Sequence, residues 1–484
     1  MFPFPENLYA QWRSQRGHAL ALREDESSPP ENLLQAVWQH QRLLRNQLST
    51  LDGRTVRILH PGFLSREGGP DFRGAVIQLD DGSRLAGDIE VDIEAHGWRA
   101  HGHDRNPNFK NVILHVIWEG KGAPGTRSGR PTVAIRGQLD SPLAELSRWL
   151  NSDEPDSLPE NLRGQCSAPL GELPPEKIRE LLLQAAQARF HGKAAQFQAR
   201  ARHVGWEQTL WEGVFRALGY KHNVWPMQCL AENRRRWFAP RSSPLALQAR
   251  LLGVAGLLPA ELTRAQASAD SYLRSVWDQW WREREEFSDC ILPRELWRFH
   301  GQRPANHPQR RIALAAHWLA ANTLPAKLER WCAKKFSDGE MSAALLEILQ
   351  IRPDEFWSWH WTIHSARLKK SQPLLGASRV TDLAVNVILP WLWIRAFEGK
   401  NEPLQREMEN RFNSWPASED NAVLRLARQR LLGGASRRAL RTAAEQQGLI
   451  QIVRDFCDHS NAVCENCRFP ELVRGAASKA VKIE

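Results

Sequence analysis

Asp71 and Glu90 are the side chains whose types and spacing first suggest chemistry. Asp71 follows Pro70 just before an apolar run, and Glu90 lies within Gly87-Asp88-Ile89-Glu90-Val91-Asp92-Ile93-Glu94, which alternates acid and apolar without a break. A period of two is the pattern of a strand, whose successive side chains point to opposite faces. Ile89, Val91 and Ile93 therefore enter a core, while Asp88, Glu90, Asp92 and Glu94 share the other face. Like charges along one face repel unless water or a cation intervenes, so this face is either wet or holds a metal. Carboxylates on adjacent strands, about 5 Å apart, can share one hard cation. Mg²⁺ or Mn²⁺ needs only one or two protein carboxylates, and such an ion activates water and neutralises a phosphodiester.

Other residues extend this chemistry. The loop His96-Gly97-Trp98-Arg99-Ala100-His101-Gly102-His103-Asp104 holds three histidines, and the His101-x-His103 spacing suits Zn²⁺ or Mn²⁺ on an extended segment. Asp104 and Asp92 could complete such a sphere. His115, within an apolar run, reads as a hydrogen-bonded core residue. Near the C-terminus, Cys457, Cys464 and Cys467 form a Cys-x6-Cys-x2-Cys cluster. In a chain without a secreted disulfide pattern this points to a structural Zn²⁺, or less readily an iron–sulfur cluster, with His459, Cys166 or Cys229 as a further ligand. Arg234-Arg235-Arg236 beside Trp237, together with Arg303 and Arg310-Arg311, are the densest basic points. They suit nucleic-acid phosphates or a solvated helix face.

The elements that must position these groups follow from periodicity. A helix is expected over 30–50, then strands over 55–59 and 75–79, an Asp-Gly turn at 80–83, the acidic strand, a central strand over 112–118 that is apolar on both faces, and a short strand over 132–135. This gives an α+β region at 1–150 with a small mixed sheet. A Pro-, Ser- and acid-rich linker at 151–175 follows, then a mostly α-helical region at 176–447 and the cysteine segment at 448–484. Expected helices include 175–201, 206–218, 244–258, 268–284, 310–321, 354–368 and 381–398.

The bulk composition is globular, with 42% hydrophobic and 25% charged residues over 484. Residues 1–150 hold 18 Lys+Arg and 18 Asp+Glu, so the net charge of +10 lies in the rest of the chain. A basic body beside an acidic constellation suits an anionic partner such as nucleic acid. The opening MFPFPENL lacks the basic and apolar regions of a signal peptide, and the apolar run 380–397 is interrupted by Asp382, Asn386, Pro390 and Arg395. The expectation is a cytoplasmic protein with no membrane span.

The order helix, strand, Pro70-Asp71, Glu90 and a further strand resembles the PD-(D/E)xK nuclease core, and implies a restriction-endonuclease-like sheet with Asp71 and Glu90 as metal ligands. Asp92 stands where that core has lysine, so Lys110, His101 or Arg99 would have to supply the cation. The segments Gly69-Pro70-Asp71-Phe72, Gly87–Val91, Trp98, His101-Gly102-His103 and Asn111–Val116 carry a second resemblance. With Gly219–Asn223, Arg303–Arg311, Asn386–Pro390 and the terminal cysteines, they resemble the bacterial family known as domain of unknown function 2851 over nearly the whole chain. Two functions stay open at this point. One is a metal-dependent nuclease using Asp71, Glu90, Asp92, His101 and His103. The other is a non-catalytic scaffold that binds nucleic acid or protein.

Overall fold

A computed structural model describes residues 5–17, 29–120, 130–146, 166–262, 271–433, 440–457 and 467–480, except positions 46, 66–68, 81, 83, 101–102, 144–145, 221, 240, 300–301, 338 and 420–421. The chain divides into two compact units. One comprises Phe4–Leu173, Leu426–Gly433 and Ile450–Glu484; the other comprises Pro174–Arg425 and Gly434–Leu449, with Met1–Pro3. The architecture is α+β, with a mixed sheet in the first unit and helices through the second. Of the expected cysteine segment, the described residues 450–457 and 467–480 belong to the sheet unit.

In the sheet unit, helices α1 (Leu8–Gly17) and α2 (Glu31–Gln39) precede strands β1 (Val56–His60), β2 (Phe63–Leu64), β3 (Phe72–Leu79), β4 (Arg84–Glu94), β5 (Val112–Glu119) and β6 (Thr132–Ala134). Their order is β1-β3-β4-β5-β6, with β2 also paired to β3. The first neighbours are antiparallel, whereas β5 runs parallel to both β4 and β6. That places the apolar β5 in the sheet interior, as its composition requires. Helix α2 is shorter than expected because Gln41 takes a left-handed backbone (φ 50°), and Leu43 then bridges to Leu139. Leu34, Val37 and Trp38 of α2 are fully buried, and the Trp38 indole donates to the Pro61 carbonyl at 2.9 Å.

The C-terminal segment packs on α1 through one buried carboxylate. Asp455, fully buried, accepts from the Tyr9 hydroxyl at 2.6 Å and from Gln451 at 3.0 Å, and pairs with Arg13 at 3.3 Å. Burial alone would raise its pKa; Arg13 and the Tyr9 and Gln451 hydrogen bonds outweigh burial and hold it below the usual carboxylate range.

The helical unit contains Pro175–Val204, Trp206–Leu218, Pro244–Val254, Ser271–Glu283 and Pro308–Ala321 close to the expected bounds. Val224–Glu232 and Glu402–Ser414 are additional. The expected helix over 354–368 is absent: that stretch is turns and irregular backbone. Ala377–Glu398 is one 22-residue helix, long and apolar enough to cross a membrane by length and composition, with 72% of its most apolar window buried inside the protein. The apolar run in the sequence had suggested something shorter. Pro390 lies inside it and has no N–H for the Asn386 carbonyl, and the helix widens to a π-turn over Ala384–Ile388.

Candidate metal centre

The acidic face of β4 is not wet. Glu90 is 6% exposed and Asp92 1%, while Asp88 is half-buried and Glu94 exposed. Helix α2 covers this face, and β3 and β5 flank it. Phe72 pairs with Ile89, so Asp71 lies opposite Glu90 at the entry to β3. A bulge between Phe72 and Ala75, where Gly74 has φ 68°, bends β3 just past that point.

Each carboxylate oxygen of this pair has a defined neighbour. Asp71 Oδ1 accepts from the Gln35 amide at 2.9 Å, and Asp71 Oδ2 accepts from the Val91 backbone N–H at 2.9 Å. Glu90 Oε2 accepts from the Asp71 backbone N–H at 3.1 Å, and Glu90 Oε1 lies 3.1 Å from His103 Nε2. Gln35 also reaches Glu31 at 3.2 Å, which brings a fourth carboxylate to the edge of the group. Among the described residues, no Lys or Arg pairs with Asp71 or Glu90.

The crossover between β4 and β5 brings an imidazole to this face. It makes helical turns at Gly97–Ala100 and Pro107–Phe109, the second capped by the Asn106 side chain. Trp98 lies between His103 and His115, with ring centroids at 5.3 and 5.4 Å, and the Arg130 guanidinium lies 3.6 Å over its ring. Phe109 lies tilted against His103 at 4.0 Å. His115, opposite Glu90 on β5, is buried with its Nε2 2.8 Å from Asp92 Oδ2. Gly97 allows this arrangement: a Cβ there would come within 2.8 Å of Asp92 Oδ1. One ligand atom each from Glu90, Asp92 and His103 lies within 4.8 Å of the others, the spacing of a site that could hold a cation.

The electrostatics follow from burial. Burial pushes Glu90 up to about 9, with the charge of Asp71 adding to it. Burial likewise pushes Asp71 up to about 7, against the lowering effect of the Val91 N–H, and Glu31 and Asp92 add further repulsion. A buried group of carboxylates with adjacent imidazole nitrogen is chemically suited to a divalent ion.

Not every residue expected in the site converges. Asp71, Glu90, Asp92 and His103 come together; His101 lies outside the described residues, as does the Arg99 side chain. Lys110 and Asp104 are exposed, and Asp104 has Arg105 as its neighbour at 3.9 Å. Gln35 and the Asp92–His115 pair were not anticipated. Same-face positions on adjoining strands were the only signal for the pair.

The basic points need correction. Arg310 is fully buried, and its Nη2 donates to the Gln372 and Pro373 carbonyls at 2.8 and 2.9 Å, so it offers no charge to a surface ligand. Arg234 is 8% exposed and bound to Gln208 and Glu207. Arg236 is exposed but held by both oxygens of Asp289, at 2.7 and 2.8 Å. Arg235 and Arg303 remain at the surface. Of the cysteines, Cys457 is buried and the Cys467 thiol lies 3.7 Å from the Phe456 carbonyl; Cys464 and His459 lie outside the described residues.

The fold and site define an α+β protein with a buried carboxylate–imidazole constellation on a mixed sheet. The chain belongs to the family described as Protein of unknown function (DUF2851), which matches residues 31–421. No curated protein matches it, and no solved structure does.

The fold holds both carboxyls protonated above the pH at which an unfolded chain ionises them. Without metal, stability is therefore full near pH 4 and falls as pH rises toward about 7 for Asp71 and about 9 for Glu90. Melting temperatures recorded in chelator from pH 5 to 9 should decline for the native chain, and Glu90→Gln should flatten the decline and melt higher at pH 8.5. An equal slope in both proteins would contradict this assignment.

Proposed function

We propose that this protein is a metal-dependent phosphodiester hydrolase acting on DNA or RNA, with Asp71 and Glu90 as principal ligands of Mg²⁺ or Mn²⁺. The carrying observation is the pair of a buried Glu90 and a half-buried Asp71, which has no Lys or Arg partner among the described residues and is bordered by His103 and Asp92. Helix α2, β1, the Asp71 strand, the Glu90 strand and a parallel β5 follow one another in an order similar to the PD-(D/E)xK core. That similarity supports a restriction-endonuclease-like reading by analogy.

When bound, a divalent ion would neutralise a phosphate and lower the pKa of its water. The protein's own residues do the rest. Gln35 and the Val91 N–H fix the Asp71 carboxylate, and the Asp71 N–H fixes Glu90. His103, braced by Trp98 and Phe109, is placed to complete the ligand set or to accept a proton. Asp92 orients His115 in the place where the nuclease core carries its lysine.

That last pair favours the second reading, a binding scaffold that has lost catalysis, because no lysine pairs with Glu90 among the described residues. The Cys457–Cys464–Cys467 segment we assign to a structural Zn²⁺ within a cytoplasmic protein. Inductively coupled plasma mass spectrometry should find zinc near one per chain, reduced in Cys467→Ser; zinc-free native protein would refute that assignment.

Incubation with single-stranded DNA, duplex DNA or RNA in Mg²⁺ or Mn²⁺ should give cleavage of at least one of these. Glu90→Gln and Asp71→Asn should each lower it by about 100-fold or more. Absence of cleavage, or cleavage indifferent to both substitutions, would leave the scaffold reading in possession.

A further inference from the structure

Residues 350–376 of the helical unit run 27 residues without helix or strand. Connections this long inside a packed unit are uncommon, and when ordered they usually serve a function. This one is held firmly. Asp354 accepts from the Phe356 and Trp357 N–H groups at 2.9 and 2.6 Å and from Gln248 at 2.9 Å, and pairs with His317 at 2.7 Å. Tyr272, Phe356 and His360 form a pile of parallel rings at 4.0 and 4.2 Å spacing. The far end is tied by Gln372 N–H to the Ser358 carbonyl at 2.7 Å and by Arg310 to the Gln372 and Pro373 carbonyls.

What this framework presents is basic and aromatic. Arg352, Arg367, Lys369 and Lys370 are exposed, against one exposed acid, Glu355. Trp359 and Trp361 are half-buried, and each has a guanidinium 4.5 Å from its ring centroid, from Arg367 and Arg310 respectively. Trp357, by contrast, is fully buried and its indole donates to Tyr272. Alternating cations and partly open aromatic rings are what a single-stranded nucleic acid requires, because its phosphates seek charge and its unpaired bases seek a ring to stack on. Duplex bases have no free faces to offer such rings.

We propose that the 352–370 segment is a preformed docking surface for single-stranded nucleic acid, with Arg352, Arg367, Lys369 and Lys370 on the phosphates and Trp359 and Trp361 against the bases. It takes from the proposed hydrolase only the identity of the polymer, and it does not depend on the carboxylate centre.

Anisotropy of fluorescent 20-nucleotide oligo-dT and oligo-U, measured with the full chain in EDTA, separates the two. The native chain and Glu90→Gln should bind alike, whatever the outcome of cleavage assays. Lys369→Glu/Lys370→Glu should weaken binding on the order of tenfold and reduce the slope of log K against log salt by about 2. Lys334→Glu/Lys335→Glu, an equal charge change at exposed positions of the same unit, should leave it near native. No binding by the native chain, equal loss in both double variants, or full retention in Lys369→Glu/Lys370→Glu would overturn the proposal. Displacement by polyglutamate as effective as by unlabelled oligonucleotide would also overturn it, in favour of an acidic protein segment.

Discussion

Two carboxyl groups set side by side, Glu90 buried and Asp71 half-buried, are the constraint that organises the sheet unit. A charge moved out of water is costly, and two neighbouring carboxylates cannot both stay ionised there without a proton or a cation between them. The fold supplies N–H donors to three of the four Asp71 and Glu90 oxygens and an imidazole to the fourth. Those contacts fix where the oxygens lie, yet burial first and repulsion from neighbouring carboxylates second displace both groups upward, toward the protonated form. A divalent ion would resolve the conflict in one step, and Glu90, Asp92 and His103 are spaced as a group that could hold one.

Seen from this constraint, the surrounding elements have clear tasks. Trp38 ties α2 to the Pro61 carbonyl, and Gln35, one turn earlier, lies over Asp71. The β3 bulge bends the chain beyond Asp71, and the parallel pairing of β4 with β5 requires a crossover, which returns Trp98 and His103 to the same face as Glu90. Arg130 closes over the outer ring of Trp98. The helical unit is organised differently: two of its buried cations, Arg310 and Arg311, hold backbone carbonyls of the irregular 372–374 stretch.

The strand Arg84–Glu94, its partner carrying Asp71 and the apolar β5 were legible because a period of two is written locally in side-chain chemistry. What that pattern could not say is whether the acidic face meets water or protein. The cover comes from Gln35, 36 residues before Asp71, and from His103 across an irregular crossover. Arg234 and Arg310 misled for the same reason: a run of arginines shows charge density, whereas burial depends on Glu207 or the Gln372 carbonyl arriving from elsewhere. The helical pattern at 354–368 failed where the Asp354 carboxylate captured the Phe356 and Trp357 N–H groups and was itself held by His317 and Gln248. Two tertiary partners overrode a local preference.

The decisive property is whether the carboxylate–imidazole group holds an ion. Electron paramagnetic resonance of Mn²⁺ titrated into the chelator-treated chain at pH 8 reads this directly, because bound Mn²⁺ loses its sharp aqueous signal and reports a coordinated nitrogen by hyperfine coupling. Binding should be saturable and abolished in Asp71→Asn/Glu90→Gln, with the nitrogen coupling lost in His103→Gln. Binding unchanged in the double variant, or no bound signal at all in the native chain, would contradict it.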